Sequence, residues 1–208
     1  TAGNALSLLR RVCQLYVQGG LLDRNPCVRI GALVARVERR HAPEIRQADA
    51  WTREEAETLL ALAREHEPAL HGPLLCALHT GMRRGEILGL EWRDVGPIRL
   101  AVRRAWVRGR TRQPKGGAAR EIPQSASLRA CLDEIREAQR TARAWREVGP
   151  VFLAPNDLRW DEAAFGRAWR RLMTHALAAR VRVLRFHDAR HTFASWALAA
   201  GQSIRWVQ

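Results

Sequence analysis

Apolar positions recur at helical spacing along most of this chain and at strand spacing in one stretch. From Asn4 to Val17, Leu6, Leu9, Val12, Leu15 and Tyr16 share a helix face, and Gly19-Gly20 ends the pattern. Asp23-Arg24-Asn25-Pro26 then reads as a turn. Residues 31–50 are rich in charge, Ala and Pro and lose the period, which predicts a linker. Thr52-Arg53-Glu54-Glu55 has the form of a capping box and opens an amphipathic helix through Leu59, Leu60 and Leu62. Another helix covers Leu74–Leu78, and a tight Thr80-Gly81 turn leads into a helix from about Arg83. Between Pro97 and Pro123 the period falls to two: Ile98, Leu100 and Val102 alternate with Arg99, Ala101 and Arg103. That stretch predicts a small antiparallel sheet of two or three strands. Helical spacing resumes over 125–145, 161–178 and 187–199. The expected fold is mainly α with a small antiparallel β-sheet.

With 208 residues, 47% of them hydrophobic, the chain can bury one full core and a small piece of a second unit. The boundaries predicted are 1–30 for the remnant of a helical domain, 31–50 for the linker and 51–208 for the main domain. No run approaches the ~20 apolar residues of a membrane span. The start, Thr-Ala-Gly-Asn, lacks the pattern of a signal peptide, and Cys13, Cys27, Cys76 and Cys131 form no CxxC pair. Both observations lead to the expectation of a reduced, cytoplasmic protein without membrane partners. The formal charge of +14 is the strongest clue to a partner, because a surplus that large favours a polyanion, above all nucleic acid.

Three separated segments carry candidate chemistry. In Thr80-Gly81-Met82-Arg83-Arg84-Gly85-Glu86-Ile87, Gly81 permits a sharp turn before a helix. Arg83 then lies in the first turn, where backbone N–H groups favour an anion. Glu86, three residues on, can brace an arginine, and a braced guanidinium can grip a phosphate with two parallel hydrogen bonds. An ordinary amphipathic helix with exposed arginines fits this segment equally well. The second segment, Arg112 to Pro123, is a glycine-bearing hairpin holding Lys115, the only lysine in the chain. Lys gives up a proton far more readily than Arg, which makes Lys115 a candidate general acid; chance placement of one solvated lysine is the competing reading. The third is His187-Asp188-Ala189-Arg190-His191. A His pair at i, i+4 can hold zinc, but the following Glu and a third ligand are missing. Phosphate chemistry fits better, with Arg190 neutralising charge and the histidines moving protons.

Taken together in this order, the segments resemble the tyrosine recombinases of the phage-integrase type. That family's signature is Thr-Gly-x-Arg-x-x-Glu-[Ile/Leu], a hairpin lysine, His-x-x-Arg-His, then Gly-His and a nucleophilic tyrosine. The first three match here at Thr80–Ile87, Lys115 and His187–His191. The turn at Asn25-Pro26 resembles the end of the family's DNA-clamping domain, and the Thr52–Glu55 helix start resembles the opening of its catalytic domain. The resemblance implies the DNA breaking-rejoining fold and site-specific recombination through a 3′-phosphotyrosine link. It implies Arg83 and Arg190 on the scissile phosphate, Lys115 protonating the leaving 5′ oxygen, His187 in proton transfer, and Glu86 and His191 in support. It implies no metal and no other cofactor. The partner implied is double-stranded DNA, gripped as a homo-tetramer by the complete protein, with Arg103, Arg104, Arg108, Arg110 and Arg112 as candidates for backbone contact. A non-enzymatic DNA-binding regulator and a type IB topoisomerase are the alternatives.

The Gly-His and the tyrosine are expected beyond Gln208. Tyr16, the only tyrosine in the sequence, sits at an apolar position of the first helix. These 208 residues by themselves are therefore expected to be a monomer that binds DNA without cleaving it. Trp145, Trp169 and Trp196 read as core, and Trp51, Trp106 and Trp160 as partly exposed. His79 reads as a helix-end residue, and His66, His71 and His175 show no partner pattern.

Overall fold

The computed structural model describes residues 2–28, 30, 50–114, 119–143 and 145–203. Most of the predicted linker, Lys115 and the final residues 204–208 lie outside them. The chain divides into two compact units, Thr1–Gln47 and Ala48–Gln208.

In the first unit, helix α1 (Ala2–Gln18) is followed by a 3₁₀ turn at Pro26–Val28. Asn25 closes the turn onto the helix: its side-chain amide donates to the Arg10 carbonyl at 2.9 Å, and its Oδ1 accepts from the Cys27 N–H at 3.0 Å. Leu8, Leu9, Leu15 and Tyr16 remain exposed on α1.

The second unit begins with α2 (Arg53–His66), whose cap forms as the sequence predicts. The Thr52 hydroxyl accepts from the Glu55 N–H, and Glu55 accepts from the Thr52 N–H. Helix α3 (Pro68–Thr80) is apolar around its whole circumference, as a helix packed on all sides must be. It packs against α2, the short α4 (Arg84–Leu88), α5 (Ala126–Thr141) and α7 (Asp188–Ala199). Helix α6 (Glu162–Ala178) packs on α2. Ser125 and Asp161 cap α5 and α6 with their side chains.

The strands form two separate ladders rather than one sheet. β1 (Arg99–Val102) pairs with β4 (Arg120–Pro123), and β2 (Ala105–Val107) pairs with β3 (Arg110–Arg112), both antiparallel. β2 and β3 are joined by Arg108-Gly109, both at positive φ, the backbone of a tight hairpin turn. Register places Val102 opposite Arg120.

Several expectations about aromatic residues are overturned. Trp51 and Trp160 are fully buried, because each is wrapped by apolar neighbours and Trp51 spends its indole N–H on the Arg182 carbonyl at 2.8 Å. Trp106 is half-buried and donates to the Trp160 carbonyl; Trp169 is core as expected, whereas Trp145 and Trp196 are only half-buried, packed against the core from outside. His66 and His175 do have a partner: their rings stack on each other with centroids 3.8 Å apart. Cys27, Cys76 and Cys131 are buried free thiols. Among the described residues no helix is long and apolar enough to cross a membrane.

Candidate functional site

The site is built outward from one turn. Thr80 ends α3 by donating its hydroxyl to the Cys76 carbonyl, and Gly81 then adopts a left-handed φ of 62°. A side chain at Gly81 would strain that backbone and would place a Cβ 2.4 Å from the Phe193 ring of α7. Glycine therefore lets α7 close on the turn. The chain leaves it extended at Arg83, the N-cap of α4. There the Glu86 carboxylate accepts from the Arg83 N–H at 3.0 Å and from its guanidinium at 3.1 Å.

Glu86 is 1% exposed, so its charge must be met inside the protein. A second guanidinium does most of this. Arg120 of β4 reaches the same carboxylate with two hydrogen bonds, at 2.7 and 3.2 Å. Burial alone would push the Glu86 carboxyl up, but the bonds and charges of Arg120 and Arg83 outweigh it and hold the pKa below the ordinary range. Arg120 was not among the residues the sequence singled out. Its signal was there in the two-residue period of β4: Ile122 turns toward the core, so Arg120 lies on the same face and needs an anion there.

Arg190 arrives from the other side. It sits in the first turn of α7 and donates to the Gly81 carbonyl. Burial and the nearby positive charge of Arg83 lower its pKa, Glu86 opposes that, and Arg120 adds to it. Arg83, Arg120 and Arg190 thus form one electrostatic group, three cations around one buried carboxylate. Each keeps part of its side chain open to solvent.

Helix α7 and the loop before it are each pinned to the start of α2. The Thr192 hydroxyl donates to the Asp188 carbonyl and accepts from the Trp51 N–H, while Glu55 takes the Arg182 guanidinium at 2.8 Å. Buried Asp188 accepts from the Arg185 N–H at 2.7 Å and from its guanidinium at 2.9 Å. His187 is the N-cap residue of α7 and is exposed, as is His191, with the two rings edge to face at 5.3 Å. Burial, then the charges of His191 and Arg190, lower the His187 pKa, so the imidazole is neutral at pH 7. A neutral exposed imidazole beside Arg190 can take or pass a proton.

The hairpin arginines divide into two groups. Arg108, Arg110 and Arg112 are exposed, and Arg103 is exposed with a long 3.8 Å approach to Asp94. Arg104 is different. Its side chain is 13% exposed and is held by Asp94 and, at 2.9 Å, by Glu91. Its charge is consumed inside the protein, which takes it out of the set available to DNA. Lys115 lies outside the described residues. Those residues contain no cluster of three or more His, Cys, Asp or Glu side chains able to hold a metal ion.

Comparison with known proteins identifies a family. The model of the phage integrase family matches residues 50–208. The shufflon-specific DNA recombinase of Escherichia coli is 31% identical over 140 residues, covering 67% of this chain and 30% of that protein. The integrase of Salmonella phage P22 is 29% identical over 138 residues, covering 64% and 33%. The chain thus spans about a third of the length of these relatives. Among solved structures, the Tn1549 transposon integrase in complex with transposon right end DNA superposes with a TM-score of 0.80 at 18% identity, covering 99% of this chain and 68% of that one. Lambda integrase bound to DNA gives 0.63 at 17% identity, covering 100% and 68%. XerA recombinase gives 0.63 at 20% identity, covering 80% and 55%. At these identities the superpositions establish the shared fold.

Proposed function

The chain belongs to the phage integrase family of tyrosine recombinases, and we propose that its Ala48–Gln208 unit is the strand-cleaving part of a site-specific DNA recombinase. The observation that carries the reading is the gathering of Arg83, Arg120 and Arg190 around buried Glu86. Three positive charges against one negative leave a surplus for a phosphodiester, whose charge grows in the transition state of phosphoryl transfer. Arg83 and Arg190 hold the non-bridging oxygens. A tyrosine oxygen attacks phosphorus, the bond to the 5′ oxygen breaks, and Lys115 supplies the proton that this oxygen takes. His187, neutral at pH 7, accepts the proton of the attacking tyrosine. His191 supports His187 from edge-to-face contact. Double-stranded DNA is the substrate, with two sites brought together in a homo-tetramer. The exposed guanidiniums of Arg103, Arg108, Arg110 and Arg112 hold the backbone beside the cleavage point.

The test is covalent capture. Full-length protein is incubated with a duplex carrying its recombination site and separated under denaturing conditions. A protein–DNA adduct that forms in EDTA is expected. Arg83→Ala and Arg190→Ala should each slow its formation by about 10²–10³-fold, the cost of one lost transition-state donor, with DNA binding largely kept. Adduct formation at the normal rate by Arg190→Ala, or cleavage that stops in EDTA, overturns the reading.

A further inference from the structure

The pair Arg83–Glu86 leaves a problem that the catalytic assignment does not solve. A guanidinium tied to a single buried carboxylate is neutralised by it, and a neutralised Arg83 attracts a phosphate poorly. Glu86 is 1% exposed and cannot shed its charge to water. Something else must satisfy the carboxylate. Arg120 makes both oxygens its acceptors, one at 2.7 Å and the other at 3.2 Å, while Arg83 contributes one side-chain bond, at 3.1 Å. The fork of Arg120 therefore takes the larger share of Glu86. Arg83 keeps its remaining guanidinium N–H groups for another acceptor.

The second consequence is geometric. Arg120 opens β4 and lies opposite Val102 of β1, which is buried. Its bonds to Glu86 tie this strand to the first turn of α4. The strand also starts five residues after Lys115 in the chain. One guanidinium thus joins the segment that carries the candidate general acid to the segment that carries Arg83.

We propose that Arg120 is a positioning residue of the phosphate site: it satisfies buried Glu86, leaves the Arg83 guanidinium free for phosphate, and fixes β4 against the start of α4. This rests on the recombinase reading above. Arg120 acts through Glu86 and does not itself hold DNA.

The test uses full-length protein and single-turnover cleavage of a duplex carrying its recombination site, read as the rate at saturating DNA and, separately, as DNA affinity. Arg120→Ala should lower the saturated rate by about 30–100-fold, the scale of a slightly misplaced catalytic group, and change affinity less than about 3-fold. Arg120→Lys keeps a cation beside Glu86 but cannot form two parallel bonds. It should melt close to the unmodified protein and still cleave about 10-fold slower, which separates positioning from folding. In a Glu86→Gln background the carboxylate is gone, so adding Arg120→Ala should cost less than about 3-fold more. If the two changes multiply fully, Arg120 contacts DNA directly and the proposal falls. If Arg120→Lys cleaves at the normal rate, the two-pronged bond is unnecessary and the proposal falls as well. If the unmodified protein forms no adduct, the recombinase reading falls and takes this one with it. Adduct formation by the unmodified protein, with Arg120→Ala cleaving at the same rate, removes this inference alone.

Discussion

Two helix starts in this protein use the same local device and end with different charge. At α4, Arg83 gives its N–H and its guanidinium to Glu86, three residues on. At α7, Arg185 gives both to Asp188, also three residues on. Both carboxylates are buried, yet the arginines differ: the Arg185 side chain is 81% exposed and that of Arg83 is 37%. The larger difference is the third party. Glu86 also holds Arg120 from β4, and Arg190 stands close by. The same four-residue spacing ties down the turn before a helix in one place and forms the centre of a cationic site in the other. Long-range partners make that distinction.

Removing each carboxylate should expose the contrast most strongly. Glu86→Ala leaves two guanidiniums facing each other without their anion and should cost about 3 kcal/mol in urea unfolding, the scale of breaking a buried pair. Asp188→Ala takes one partner from Arg185, whose side chain is already 81% exposed, and should cost about 1 kcal/mol, the scale of a single hydrogen bond. Equal losses would mean that Arg120 adds nothing at α4.

Gly81→Ala tests a device that only α4 uses at its start, since α7 is entered through His187 in ordinary helical backbone. The left-handed φ and the Phe193 ring together predict a loss of about 2 kcal/mol. Thermal unfolding checks it, and an unchanged melting temperature would remove Gly81 as the hinge of the site.

The hairpin gives a parallel contrast between paired and unpaired arginines. Arg110→Ala and Arg112→Ala should each weaken DNA binding and reduce the slope of log affinity against log salt by about 1, with the fold intact. Arg104→Ala should destabilise the protein by about 2 kcal/mol, because Asp94 loses a close partner in the interior. Titrations at several salt concentrations, with unfolding curves beside them, decide between the roles.

The smallest effect is in acid. The folded pKa values of Glu86 and Asp188 both lie below their ordinary values of 4.5 and 3.8. The stability each contributes is therefore complete above those values and is lost as pH falls through the folded ones. Glu86→Gln should flatten the stability curve from about pH 4.5 downward, and Asp188→Asn only from about pH 3.8 downward. Reversal of that order in acid-unfolding curves would contradict the two local environments.

Much of this could be read along the chain because it is local. Thr52 and Glu55 form the predicted capping box within one turn of helix. Arg83 and Glu86 meet at i, i+3. The two-residue period around Leu100 and Val102 becomes a strand. The misreadings all involve residues whose partners are remote. The sheet became two ladders because β4 pairs with β1 across the intervening hairpin. Trp51 is buried beside Trp169, and Trp160 is joined by Trp106 through its carbonyl, in both cases a residue far away in sequence. His66 finds His175 across two helices.

By itself the sequence determined the helices and their caps, the sharp turn at Gly81, the surplus of positive charge and the three motifs that mark the family. Those follow from backbone geometry and from spacings of a few residues, which neighbours in the chain settle. Tertiary structure alone decided which arginines are available. Arg104 is consumed by Asp94 and Glu91, and Arg120 is committed to Glu86, although all are written as the same residue in one basic stretch. A buried carboxylate must be neutralised by whatever cation the fold brings to it, and that choice exists only once the chain has closed on itself.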